Sequence, residues 1–147
     1  ISAKTLTDAI AKELSLDFGK AEELKVKYGL LERKDATGKK VADAMVPALS
    51  ALTEQLKKYL DYYRTHAAHE HILSEKHNIA EIYFCGGGAN LKGLDAFLSR
   101  ELKIPVKLGN PWINIFGESV KDLPEMNYAD SLAFTTALGL AEGAIKI

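Results

Sequence analysis

The segment Ile79 to Pro105, IAEIYFCGGGANLKGLDAFLSRELKIP, constrains the fold most, because three consecutive glycines follow directly on an apolar run. Ile79, Ile82, Tyr83, Phe84 and Cys85 are β-branched, aromatic or small and apolar, which predicts a buried strand ending at Gly86, Gly87 and Gly88. Three residues without a Cβ let the backbone take positive φ and let a flat or anionic group come close. Asn90 then stands where a helix cap belongs, before a helix expected over Leu91 to Leu102 with Leu91, Leu94, Phe97 and Leu98 on one face. Pro105 ends that helix, and Val106 to Leu108 reads as a second strand. The unit is strand, glycine turn, helix, strand.

The remainder must supply the core around this unit. With 147 residues, 47% hydrophobic and 27% charged, the chain is long enough for one sizeable core. A formal net charge of −1 gives no electrostatic case for nucleic acid or an anionic membrane surface. A single cysteine allows no disulfide and no multi-cysteine zinc site within the chain, which suits a reducing cytosol. No apolar run approaches a membrane span and no signal peptide is evident at Ile1. The first residue is not methionine, which leaves open that the chain is a piece of something longer.

From the start, Leu6, Ile10 and Leu14 recur at spacing four, an amphipathic helix over Lys4 to Leu14 that Thr5 or Thr7 would cap. Asp17 caps a second helix and Gly29 closes it. Leu31 to Lys40 is charged and reads as a solvated loop. From Val41 a long helix is expected, with Met45, Leu49, Leu52, Leu56, Tyr59 and Tyr63 as a continuous apolar stripe laid on a core. A coiled-coil partner is the alternative, weakened by a pattern shorter than four heptads and by Pro47 near its start. Beyond the central unit, Trp112, Ile113, Ile115 and Phe116 read as a loop tucked under the core. A last helix, capped by Asp130 or Ser131, carries Ala133, Ala137, Gly139, Ala141 and Gly143, whose small side predicts close packing.

No enzyme signature emerges from these residues. Gly38-Lys39-Lys40 lacks the upstream glycine and the Ser or Thr of a Walker A loop. His66, His69, His71 and His77 have no carboxylate partner in a recognised ligand spacing and read as solvated. Cys85, at the end of an apolar strand, reads as a small buried hydrophobe rather than a nucleophile. The glycine triplet alone is weak, since a tight strand-to-helix turn needs glycine whether or not anything binds there.

Its company makes it specific. AEELKVKYG at Ala21 to Gly29, YYR at Tyr62 to Arg64, IYFCGGGANLKGLDAFL at Ile82 to Leu98, NPW at Asn110 to Trp112 and DSLAFTTALGLA at Asp130 to Ala141 occur in order. Together, and over nearly the whole chain, they resemble the C-terminal part of the PilM family of type IV pilus assembly proteins, itself similar to the cell-division protein FtsA and to the actin and heat-shock chaperone folds. The resemblance implies an α/β fold class: the second lobe of an actin-like nucleotide-binding fold, with a small sheet and a helical insertion. Residues 1–64 would form the helical insertion and 71–147 the α/β part that carries the glycine-rich adenosine motif, all within one domain.

The same resemblance implies the ligand set. Gly86, Gly87, Gly88 and Ala89 would lie against the adenosine side of ATP, with Glu22 and Lys25 facing ribose and base. Glu22 and Lys25 are three apart and share a helical face, although an ordinary exposed ion pair has the same spacing. The acidic phosphate loops that hold Mg²⁺ in this superfamily do not occur in these residues, so the chain by itself is expected to show no ATPase activity. As a member of such a family it would be a cytoplasmic scaffold, peripheral to the inner membrane, that serves pilus assembly and twitching motility. Its expected partners are the cytoplasmic tail of PilN and other pilus platform proteins, with no nucleic acid and no direct membrane insertion. An FtsA-like cell-division protein and a helical interaction module with purely structural glycines are the alternatives.

Overall fold

A computed structural model describes residues 2–31, 35–66, 79–113 and 125–145. Mostly helical, it contains one sheet of two short strands among the described residues. Contacts divide the chain into two compact units, Ile1–Ile82 with Leu91–Val106, and Tyr83–Asn90 with Lys107–Ile147.

The first unit begins with α1 (Ala3–Leu14) and α2 (Phe18–Tyr28). Ser2 caps α1, its hydroxyl accepting from the Thr5 amide at 3.2 Å, so neither Thr5 nor Thr7 is the cap that the sequence suggests. Thr7 is fully buried inside the helix instead. Ser15 turns the chain with φ 52°, and Asp17 caps α2 by accepting from the Lys20 amide at 3.0 Å. Gly29 closes α2 as expected, and its φ of 54° favours glycine. A Cβ there would also stand 2.6 Å from the carbonyl oxygen of Lys92.

Helix α3 (Ala36–His66) starts earlier than the charged composition of Leu31 to Lys40 implies. The Asp35 carboxylate accepts from the Gly38 amide at 3.3 Å, which supplies an acceptor for one of the first-turn donors that a helix leaves unpaired. The helix runs on through Pro47, which is exposed. Val41, Ala42, Met45 and Leu49 are buried against its neighbours, with Thr53 as the last buried position. The predicted stripe therefore holds for its first half only. Leu52 and Leu56 are half-buried, and Tyr59 and Tyr63 are exposed. Helices α1 and α2 have 12 and 11 residues against 31 in α3, so at 1.5 Å per residue they cover less than half of its roughly 46 Å.

Strand β1 (Ile82–Phe84) and strand β2 (Val106–Leu108) flank α4 (Leu94–Leu102). Ile82 N donates to the Pro105 carbonyl and Gly109 N to that of Phe84, both at 2.9 Å, so the register advances the same way along both strands and the pair is parallel. Strand β1 is not the buried strand the composition implies, since Tyr83 is exposed and its neighbours are half-buried: two strands of three residues offer little to cover them. Helix α4 begins after Gly93 rather than after Asn90, and Leu94, Phe97, Leu98 and Leu102 bury its inner face. Ser99 Oγ accepts from Val106 N at 2.9 Å and so fixes β2 to α4. The Leu30 amide donates to the Lys92 carbonyl at 2.8 Å, tying the end of α2 to the turn before α4.

In the second unit the expected last helix is divided. Asn127 caps the short α5 (Tyr128–Ser131), a 3-10 turn covers Leu132–Phe134, and α6 (Thr135–Ile145) follows. Leu132 and Ser131 are fully buried, whereas Ala137, Gly139, Ala141 and Gly143 are exposed, so the small side is not a packing face among the described residues. Ile113 is exposed rather than tucked away, while Ile115 and Phe116 lie outside the described residues. No described helix is long and apolar enough to cross a membrane.

Depth along α3 sets an expected outcome. Leu49→Ala should cost about 2 to 5 kcal/mol in chemical denaturation, the range for emptying a buried leucine site. Tyr59→Ala should stay within about 0.5 kcal/mol. Equal losses at the two positions would contradict the depth profile.

Candidate functional site

The residues singled out in the sequence fall into two groups, each inside one unit. Glu22 and Lys25 belong to the first unit and Gly86 to Ala89 to the second.

Glu22 and Lys25 lie one turn apart on α2, but the pair is not the exposed one that i, i+3 spacing usually gives. The Lys25 side chain is 8% exposed and the Glu22 side chain 42%. Nζ of Lys25 donates to Glu22 Oε2 at 2.7 Å, to Thr7 Oγ1 at 2.8 Å and to the Ala3 carbonyl at 3.2 Å. An ammonium has three donors, and all three are used. The Thr7 hydroxyl, accepting from Lys25, has one proton to give and directs it to Glu22 Oε2. That carboxylate is thus held through one oxygen, and Oε1 has no hydrogen bond to any described residue. Burial alone would push the Glu22 carboxyl up, but the hydrogen bonds from Lys25 and Thr7 and the ammonium's charge together outweigh it and hold it below its ordinary 4.5. In the sequence Thr7 was legible only as a candidate cap of the first helix. No pattern in the sequence tells that its hydroxyl meets α2.

The second group is the glycine turn. Gly86 has φ 95°, and its amide donates to the Leu132 carbonyl at 2.9 Å. A 3-10 turn covers Gly87–Asn90, with the Ala89 amide donating back to the Gly86 carbonyl at 3.0 Å. Ala89 is buried, and Asn90 Nδ2 donates to the Ala129 carbonyl at 2.8 Å, which occupies the side chain expected to cap a helix. Gly86 is therefore required by its own conformation. Gly87 and Gly88 are different: neither has positive φ, and a Cβ at either would meet no described atom within 4 Å. Cys85 is exposed, not buried, and stands just after β1, which ends at Phe84. Its sulfur lies where a Cβ on Gly109 would stand, so a side chain at that position would have to displace the thiol.

Two further features bear on ligands. A cleft of about 390 Å³ is lined by Glu13, Leu14, Lys40, Asp43, Ala44 and Pro47, none of them a residue the sequence assigned to a site. Three or more metal-ligating side chains do not cluster among the described residues. His66 stacks on Tyr62 with ring centroids 3.9 Å apart, and His69, His71 and His77 lie outside the described residues.

Comparison with known proteins gives these two groups a context. Residues 2–143 match the family of the type IV pilus assembly protein PilM, and the chain belongs to that family. No curated protein matches it. Among solved structures it is similar to a chain of a PilM-PilN type IV pilus biogenesis complex, with a TM-score of 0.68 and 30% identity over 98% of this chain. The match covers 37% of that chain, so these 147 residues span little more than a third of that relative's length.

The Glu22 pair makes acid stability a direct readout. With the folded value below the ordinary one, the carboxylate's contribution to stability is present above about pH 4.5 and is lost as pH falls through the depressed value. Melting temperature measured from pH 7 to pH 3 should therefore fall less steeply below pH 4.5 in Glu22→Gln than in the parent. Parallel curves would show that the carboxylate contributes nothing to acid stability.

Proposed function

We propose that the chain is part of an actin-like, ATP-binding scaffold for type IV pilus assembly and supplies the nucleoside side of the site. Family membership and the similarity to a chain of a PilM-PilN complex support the pilus-assembly role and favour it over the cell-division reading. On this proposal the chain forms the second lobe of the actin-like fold, with residues 1–64 as a helical insertion and 71–147 as the α/β part. Partners would be the cytoplasmic tail of PilN and other platform proteins, at the cytoplasmic face of the inner membrane.

The observation that carries the nucleotide reading is the contrast among the glycines. Glycine costs roughly 0.5 to 1 kcal/mol relative to alanine inside regular structure, and neither conformation nor packing demands it at Gly87 or Gly88. A backbone left bare without a local reason fits close approach by a flat ligand. On the proposal Gly86, Gly87, Gly88 and Ala89 face adenosine. Glu22, with Lys25 completing its face of α2, accepts from ribose hydroxyls through its open oxygen. Each group fits its assigned chemistry by itself. ATP would bring Mg²⁺, whose ligands lie outside these residues. The chain's own part is binding and orientation, since phosphoryl transfer needs the metal ligands and a positioned water as well.

Calorimetric titration of the full-length protein with ATP tests this reading. The parent should bind, Gly87→Ala should keep the melting temperature of the parent because its Cβ meets no neighbour, and Gly87→Val, folded, should lose ATP binding. The 147-residue chain alone should bind no better than about millimolar, close to −4 kcal/mol. Unchanged ATP affinity in a folded Gly87→Val protein would make the turn a structural corner.

A further inference from the structure

We infer that Thr7 is a positioning residue for ribose recognition: its hydroxyl, together with the Lys25 ammonium, clamps one oxygen of Glu22 so that the other is presented to a vicinal diol. The inference rests on the nucleotide reading above and assigns the distinction between a sugar with both hydroxyls and one without them to a residue on α1.

Three observations lead to it. First, the clamp is one-sided. Both groups that hold Glu22 meet the same atom, Oε2, and Oε1 is without a hydrogen bond to any described residue on a side chain 42% exposed. The oxygen that Thr7 and Lys25 leave open is therefore the one that a ligand could reach. Second, the clamp is rigid. Thr7 is fully buried, its β-branched side chain has few rotamers inside α1, and Lys25 is nearly buried with every donor used. Third, the polarity of the hydrogen bonds is fixed. Lys25 can only donate, so the hydroxyl must accept from it and turn its proton to the carboxylate, which prefers the charged acceptor over the Ala3 carbonyl 3.1 Å away.

These facts also set the role of Lys25. An ammonium with three protein acceptors has no donor left for a ligand, so it acts through Glu22 and is a positioning residue as well. The ligand sees a single fixed acceptor. A vicinal diol offers two adjacent donors to it, and a sugar without hydroxyls offers none. An exposed glutamate without the clamp would spread over several rotamers and lose most of that preference.

The test compares ATP with 2′,3′-dideoxy-ATP on the full-length protein by calorimetry. The parent should prefer ATP by roughly ten- to a hundredfold, the worth of a hydrogen bond to a charged group. Thr7→Val, equal in shape but without the hydroxyl, should narrow the preference for ATP severalfold, since Lys25 alone then holds Glu22, and leave the affinity for the dideoxy nucleotide unchanged. Thr7→Ser, which keeps the hydroxyl, should restore the preference. A merely structural threonine would instead weaken both nucleotides by the same factor, and that result overturns the inference. So does a parent that binds both equally, although the nucleotide reading then stands. A parent that binds neither removes the nucleotide reading itself. Should Thr7→Val not fold, Thr7→Ala replaces it: a water entering the smaller site can accept from Lys25 but lacks the covalent anchor that fixes the direction of the hydroxyl toward Glu22. A preference for ATP unchanged in folded Thr7→Ala overturns the inference too.

Discussion

Burying a lysine ammonium is the most demanding condition in the first unit. Leaving water costs an isolated charge several kcal/mol, and the cost is offset only where every donor finds an acceptor. Lys25 meets that condition with a carbonyl and a hydroxyl from α1 and a carboxylate from its own helix. The two acceptors on α1 are one turn apart, so the crossing of α1 and α2 has a single register in which all three bonds form together. A slide of either helix by one residue would strand the charge. The apolar contacts of Leu6, Ile10 and Ala21 are less exacting, because apolar burial is non-directional. The ion cluster therefore specifies the packing, and the apolar residues supply most of its free energy.

What periodicity can and cannot say is clearest on α3. Met45, Leu49, Leu52, Leu56, Tyr59 and Tyr63 share one face, and the structure keeps them on one face. A period of alternating four and three gives direction and says nothing of depth. Burial requires something opposite, and α1 and α2 are too short to follow α3 to its end. The same gap explains β1, where composition implies burial that two three-residue strands cannot supply. Caps read better when the signal is chemical and local. Asp17 and Gly29 were legible, since a carboxylate before a helix and a glycine after it act within one turn. Ser2 competes with the threonines that follow it, and Asp35 stands in a charged stretch that reads as loop, so neither cap is evident until the packing of its helix is known.

Of the two groups of candidate residues, Glu22 and Lys25 were legible as a pair through their spacing, and the glycine triplet through composition. Their environments were not. Nothing in AEELK tells that the lysine points inward, and nothing in GGG tells which glycine is required. In the structure Gly86 is required by φ, Gly29 by both its φ and the backbone of Lys92, and Gly109 stands against the sulfur of Cys85, while Gly87 and Gly88 meet none of these conditions. Sequence counts glycines alike, whereas geometry separates those that serve the fold from those that leave backbone open.

The way the glycine turn is held follows from the small size of the sheet. Two parallel strands of three residues are marginal by themselves, since parallel pairing is slightly weaker per residue and isolated pairs lack a hydrophobic face to bury. The turn is fixed instead by bonds that do not belong to the ladder. Gly86 N reaches the Leu132 carbonyl, Asn90 reaches Ala129, and the Tyr128 hydroxyl donates to the Gly109 carbonyl at 2.7 Å. All three partners lie in or beside α5, anchored by the buried Ser131 and Leu132. A ligand that approached Gly87 and Gly88 would meet a backbone positioned by α5 and its following turn, and its binding free energy would add to theirs by mass action. Loss of α5 contacts would therefore weaken such a site without touching a single residue that faces the ligand.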